Sequence, residues 1–136
     1  MKCKIRKYDE FEAAVKKHNA KHHKDKYSSN LWMINTGSQS GTYVWSMGPL
    51  TFTDMDGAPG KDEHAKDWKE NVEIYVSEYG AVEYWTLAKE LSNSDDKTQK
   101  YQTVWLLDIK KDNFHRFQEF MKKAVFINKK MGNEVS

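Results

Sequence analysis

The sequence predicts an α+β domain in which amphipathic helices cover one face of a largely antiparallel sheet. Three observations carry this. Apolar residues recur at helical spacing in three segments, a hairpin pattern lies between the first two, and short strand-like runs are interleaved with them.

Residues 2–7 alternate, with Cys3 and Ile5 on one side and Lys2, Lys4 and Arg6 on the other, which reads as a short strand. Asp9 stands three residues before Glu12, a capping-box spacing. Phe11, Ala14, Val15, His18 and His22 then recur at helical intervals and predict a helix over 10–24. LWMINT (31–36) and TYVWSM (42–47) flank GSQSG (37–41) and predict a hairpin. Leu31, Met33 and Asn35 share one face, as do Tyr43, Trp45 and Met47, and both strands are apolar on both faces. Residues 48–60 form a long connection holding both prolines, three of the seven glycines, and Asp54 and Asp56. Such a stretch suits a functional loop or lid.

A second helix is predicted from Asp62, with Ala65, Trp68, Val72, Tyr75, Val76 and Tyr79 as its stripe and Gly80 closing it. VEYWTL (82–87) reads as a strand, although AVEYWTLAKEL carries no breaker and is compatible with helix up to Leu91. SNSDDKTQK (92–100) is a polar linker, TVWLLDI (103–109) a strand, and Asp112 the cap of a last helix through Phe114, Phe117, Met121, Ala124 and Val125. The order is β-α-β-β-α-β followed by β-α. Its first six elements have the split βαβ, or ferredoxin-like, pattern of a two-layer sandwich. Residues 1–91 form that unit, and 101–136 are an extension completing it or its dimer. A faint repeat agrees, since IRKYDEFEAAVKK (5–17) and DIKKDNFHRFQEFMKK (108–123) both run from a strand end through Asp to Phe and a helix.

The 136 residues suffice for one ordinary domain with a real core. A formal charge of +2, from 22 basic and 20 acidic residues, gives no support for nucleic-acid binding. Cys3 is the single cysteine, which excludes an internal disulfide and a cysteine-based zinc site. The opening MKCKIRKYDE has no apolar signal core and no run reaches membrane-spanning length, so a cytoplasmic, non-membrane protein is expected, a removed secretory signal aside.

The stretches 35–59, HAKDW (64–68) and VEYWTLAKELS (82–92) give the chain a resemblance to the dimeric α/β-barrel superfamily. That group includes antibiotic-biosynthesis-monooxygenase-like and stress-responsive A/B-barrel domains, and the stretches are also similar to uncharacterised bacterial proteins of that shape. The resemblance implies sheets packed face to face, between subunits or between two repeats, and, in some members, a cavity between helix and sheet. Members range from cofactor-free oxygenation through haem degradation to no chemistry. The monooxygenase-like ones place an Asn, a Trp and a Tyr or His around an aromatic substrate, and Asn35, Trp68, Tyr43 and His64 are residues of those kinds.

Three functions follow as expectations. The first is a non-catalytic domain, structural or binding a small molecule, that dimerises through its sheet face; the sequence does not decide whether it is an enzyme. The second is a cofactor-independent monooxygenase or isomerase acting on an aromatic or polyketide-like molecule. His64, Tyr43 and Asn35 are its candidate catalytic residues, and Trp45, Trp68 and Met47 line its ligand. The third is a haem-binding protein using His64 or His115. No cofactor is expected. His18 and His22, spaced i,i+4, can reach one ion, but a third ligand would have to come from elsewhere and His23 points away from the pair, so they read as ordinary histidines with no metal. Asp54-Met55-Asp56-Gly57 fails as a calcium loop, because the sixth position is Pro59 and the twelfth Ala65.

Overall fold

The computed structural model describes residues 1–57, 59, 61–92 and 100–132. They fall into two units, Met1–Val82 and Glu83–Ser136. The first unit is a mixed α+β fold. Its strands are β1 (Lys2–Cys3), β2 (Ser29–Met33), β3 (Tyr43–Met47) and β4 (Val76–Glu78). Its helices are α1 (Tyr8–His22), α2 (Phe52–Asp56) and α3 (Lys61–Asn71).

Helix α1 starts two residues before the expected first position. Asp9 is not its cap but lies in the first turn beside Glu10, where carboxylates favour the helix dipole. Phe11, Val15 and His18 form its buried stripe, following the i, i+4, i+7 geometry of one helix face. β2 and β3 are antiparallel, with Leu31 opposite Trp45 and Met33 opposite Tyr43. The ladder runs two residues earlier on β2 than the pattern suggests, and residues 35–41 turn between the strands. Gly37 and Gly41 take positive φ of 94° and 81° there, a region that disfavours side chains with a Cβ. β1 pairs antiparallel with β4, and a bridge joins Lys2 to Thr42, just before β3. Main-chain bonds in both directions between Met1 and Tyr43 extend that bridge.

The core of this unit is Cys3, Phe11, Val15, Tyr43, Val72 and Val76, with Leu31, Trp45, Trp68 and Tyr75 packed around it. Phe11 and Tyr43 meet with ring centroids 4.9 Å apart. The far face of the β2–β3 ladder carries half-buried Trp32 and exposed Val44.

The second predicted helix is shorter than expected. α3 stops at Asn71, a 3-10 turn follows at Glu73–Tyr75, and the chain becomes strand at Val76. Val72 and Val76 are both buried, and their spacing serves a turn leading into an edge strand as well as it serves a helix. The fourth strand is therefore Val76–Glu78 rather than 82–87. The connection 48–60 holds α2, capped by a box in which Thr51 and Asp54 exchange backbone bonds. The Tyr27 hydroxyl meets the carbonyl oxygens of Asp54 and Gly57, both at 2.9 Å.

In the second unit, α4 (Phe114–Met131) buries Val125 and ends at Gly132, whose φ of 72° closes it with bonds to Asn128 and Lys129. The segments 82–87 and 103–109, expected as strands, belong to no helix or sheet among the described residues. Tyr84, Trp85, Trp105 and Leu106 are each at least 67% exposed. Strand propensity is a preference for a pleated, half-covered surface, and among the described residues these runs join no ladder that would supply one. The end of the first predicted domain, Lys89–Leu91, forms a single 3-10 turn. Residues 93–99 of the expected linker lie outside the described residues. No described helix is long and apolar enough to cross a membrane.

Candidate metal centre

The apolar stripe of α1 does not end in apolar residues. After Phe11 and Val15 it continues as His18, 1% exposed, and then as half-buried His22. The helix ends at His22, and His23 takes φ −115° and ψ 82° while its N–H bonds Asn19 O. Continued α-helix would swing His23 about 100° from His22. Leaving the helix brings it back toward His18, where it is 7% exposed. Sequence reasoning missed His23 for this reason.

α3 supplies the other side. His64, Asp67 and Trp68 share one face at i, i+3 and i+4, and that face meets α1. His18 Nε2 lies 3.1 Å from His64 Nε2, and His23 Nε2 lies 3.0 Å from the same atom. His18 Nδ1 is 2.6 Å from Asp67 Oδ2. Asp67 Oδ1 accepts from Asn71 Nδ2 at 3.1 Å and has Lys21 Nζ at 3.8 Å. Two tryptophans close the site edge-on, Trp68 at 5.0 Å from His18 and Trp45 at 4.9 Å from His23, between ring centroids. The indole N–H groups are turned outward, Trp45 to Asn19 and Trp68 to Tyr79.

Proton counting shows what this arrangement lacks. An imidazole nitrogen holds one proton or one lone pair. His64 Nε2 therefore satisfies one of its two nitrogen neighbours and leaves the other contact unmet, in a site where burial makes unpaired polar atoms costly. A metal ion satisfies all three lone pairs together. Nitrogens bound at about 2.0–2.1 Å around a tetrahedral ion stand about 3.3–3.4 Å apart, so the two contacts to His64, at 3.1 and 3.0 Å, need to open by only a few tenths of an ångström. His18, His23 and His64 each offer a nitrogen within 4.8 Å of the others, and His18, His22 and Asp67 form a second such group.

No protein-family model, curated protein or solved structure matches this chain.

Electrostatics favour neutral ligands. Burial, followed by repulsion from His64 and His18, pushes His23 down to about 4. Burial and then His18 lower His64 as well. Asp67 is held below the usual carboxylate range chiefly by its bond to His18. An unfolded histidine titrates near 6.5, so below that pH the unfolded chain takes protons that folded His23 refuses. Stability of the metal-free protein is therefore full above about pH 6.5 and falls as pH drops toward 4, by an amount on the order of 3 kcal/mol from His23. Urea midpoints across this range should show that fall, smaller in His23→Gln. A midpoint independent of pH contradicts it.

The other residues singled out in the sequence are scattered. Tyr43 is 2% exposed in the core and donates to Glu12 Oε1 at 2.6 Å, with burial raising its pKa. Asn35 is exposed in the hairpin turn, where its carbonyl accepts from Ser40. Met47 is half-buried opposite Ser29, and His115 is exposed on α4 in the other unit. His64, Trp45 and Trp68 do converge, around the histidines. A cleft of about 280 Å³ lies elsewhere in the unit, between α1 and β2 and lined by Glu12, Lys16, Asn19 and Ser29.

Proposed function

We propose that residues 1–82 are a metal-binding domain that holds one divalent transition-metal ion on His18, His23 and His64. The observation that carries this is the meeting of two Nε2 atoms at 3.1 and 3.0 Å on a third, in a part-buried cluster. Neutral imidazole suits zinc, copper and nickel, whereas calcium and magnesium take oxygen donors. Among the described residues no further His, Cys, Asp or Glu joins these three nitrogens. A four-coordinate ion then has one position for an oxygen donor from solution, the arrangement of open rather than closed zinc sites. Equilibrium dialysis against zinc tests this: one ion per chain is expected, and none retained at micromolar free zinc overturns it.

The ferredoxin-like reading of the scaffold belongs with this proposal. β4–β1 and β2–β3 pairing, with the Lys2–Thr42 bridge between them, supports the strand order β4-β1-β3-β2. In that order α1 and α3 lie side by side on one face, which suits a site built between them. A sheet-mediated homodimer is likewise a proposal, supported by Trp32 and Val44 on the far face.

A further inference from the structure

We infer that Asp67 is a positioning residue that decides which nitrogen of His18 is free, and thereby whether the three-histidine site can form; this rests on the proposed ion site. The pair His18 Nδ1 and Asp67 Oδ2 is 2.6 Å apart. Two donors bound to one tetrahedral ion at about 2.0–2.1 Å stand about 3.3–3.4 Å apart, about 0.7–0.8 Å more than this pair, so a 2.6 Å contact is a proton's place and not an ion's. The group His18, His22 and Asp67 is therefore the support of the site and not a second centre.

The proton sits on Nδ1, because the Asp67 carboxylate is an acceptor. That leaves the Nε2 lone pair of His18 aimed at His64 Nε2. Carboxylate partners of this kind orient metal-binding histidines and raise their basicity.

Asp67 is itself oriented. Asn71 Nδ2 donates to Oδ1, and the Lys21 ammonium lies near the same oxygen. This makes the isosteric substitution more damaging than truncation. In Asp67→Asn the donors Asn71 and Lys21 claim the amide oxygen, and the amide NH2 is turned onto His18 Nδ1. That nitrogen must then accept, the proton moves to Nε2, and the ligand position is blocked. In Asp67→Ala neither tautomer is imposed, and the ion selects the useful one.

The test uses the full chain and zinc. Zinc affinity should fall about 100-fold in Asp67→Asn and about tenfold in Asp67→Ala, the range for losing such a partner. Asn71→Leu in the Asp67→Asn background should recover part of the loss by freeing the amide to rotate. Nitrogen NMR of the metal-free, ¹⁵N-labelled chain should show His18 protonated on Nδ1 in the wild type and on Nε2 in Asp67→Asn. Equal affinity losses in the two variants, or an unchanged tautomer in Asp67→Asn, overturn the inference. Failure of the ion site gives a different pattern, in which the wild type binds no zinc although the tautomer still switches.

Discussion

Zinc added to the metal-free protein should raise its unfolding midpoint by roughly 10–20 °C, and a chelator should reverse the rise. An ion that binds the folded state alone stabilises it by about 2.7 kcal/mol at a hundred times its dissociation constant. For a unit this small each kcal/mol moves the midpoint by about 4–8 °C. Selectivity for the folded state comes from the topology. His18 and His23 lie close together in sequence, but His64 stands 41 residues beyond His23 and is brought in only by packing α3 on α1. Magnesium, which prefers oxygen donors, should leave the midpoint unchanged. A thermal scan with zinc, magnesium and chelator reads all three. No shift with zinc, or an equal shift with magnesium, contradicts a three-imidazole site.

Phe11→Ala should cost about 3–5 kcal/mol of stability, the range for emptying a fully buried aromatic site. Phe11 has no exposure, packs on Tyr43, and anchors the stripe that carries His18 one turn beyond Val15. Phe126, 58% exposed on α4, is the control, and its change to Ala should stay within about 0.5 kcal/mol. Urea unfolding of the two variants decides this. A loss below about 1 kcal/mol for Phe11→Ala would place the core elsewhere.

Much of this was legible along the chain, because periodicity survives without knowledge of partners. The stripe Phe11, Ala14, Val15, His18, His22 marked the face of α1, and Tyr43 and Trp45 were placed together on one face of a hairpin whose two faces both looked apolar. Asp54, set aside in the sequence as a calcium ligand, serves the capping box of α2. Other features depended on something the pattern does not contain. His23 joins the site because the helix ends one residue earlier, and the wheel that set it apart assumed the helix went on. His64 stood out as a candidate near the start of the second helix, yet nothing local says that it and Asp67 face His18. The runs 82–87 and 103–109 have strand composition, but a strand exists only within a ladder, and among the described residues neither run is part of one. Tyr43 and Asn35 shared strand patterns with pocket residues and were separated by register and turn, one into the core and the other into solvent.

Zinc content after equilibrium dialysis of the wild type and three single variants tests the site most directly. The wild type and His22→Ala should each retain one ion per chain, because His22 Nε2 lies 3.5 Å from Asp67 Oδ2 on the support side of His18. His23→Ala and His64→Ala should each lose the ion at micromolar zinc while still folding, as circular dichroism would show. Retention of the ion by folded His23→Ala and His64→Ala, or its loss in His22→Ala alone, would contradict the assignment of His18, His23 and His64 as the ligands.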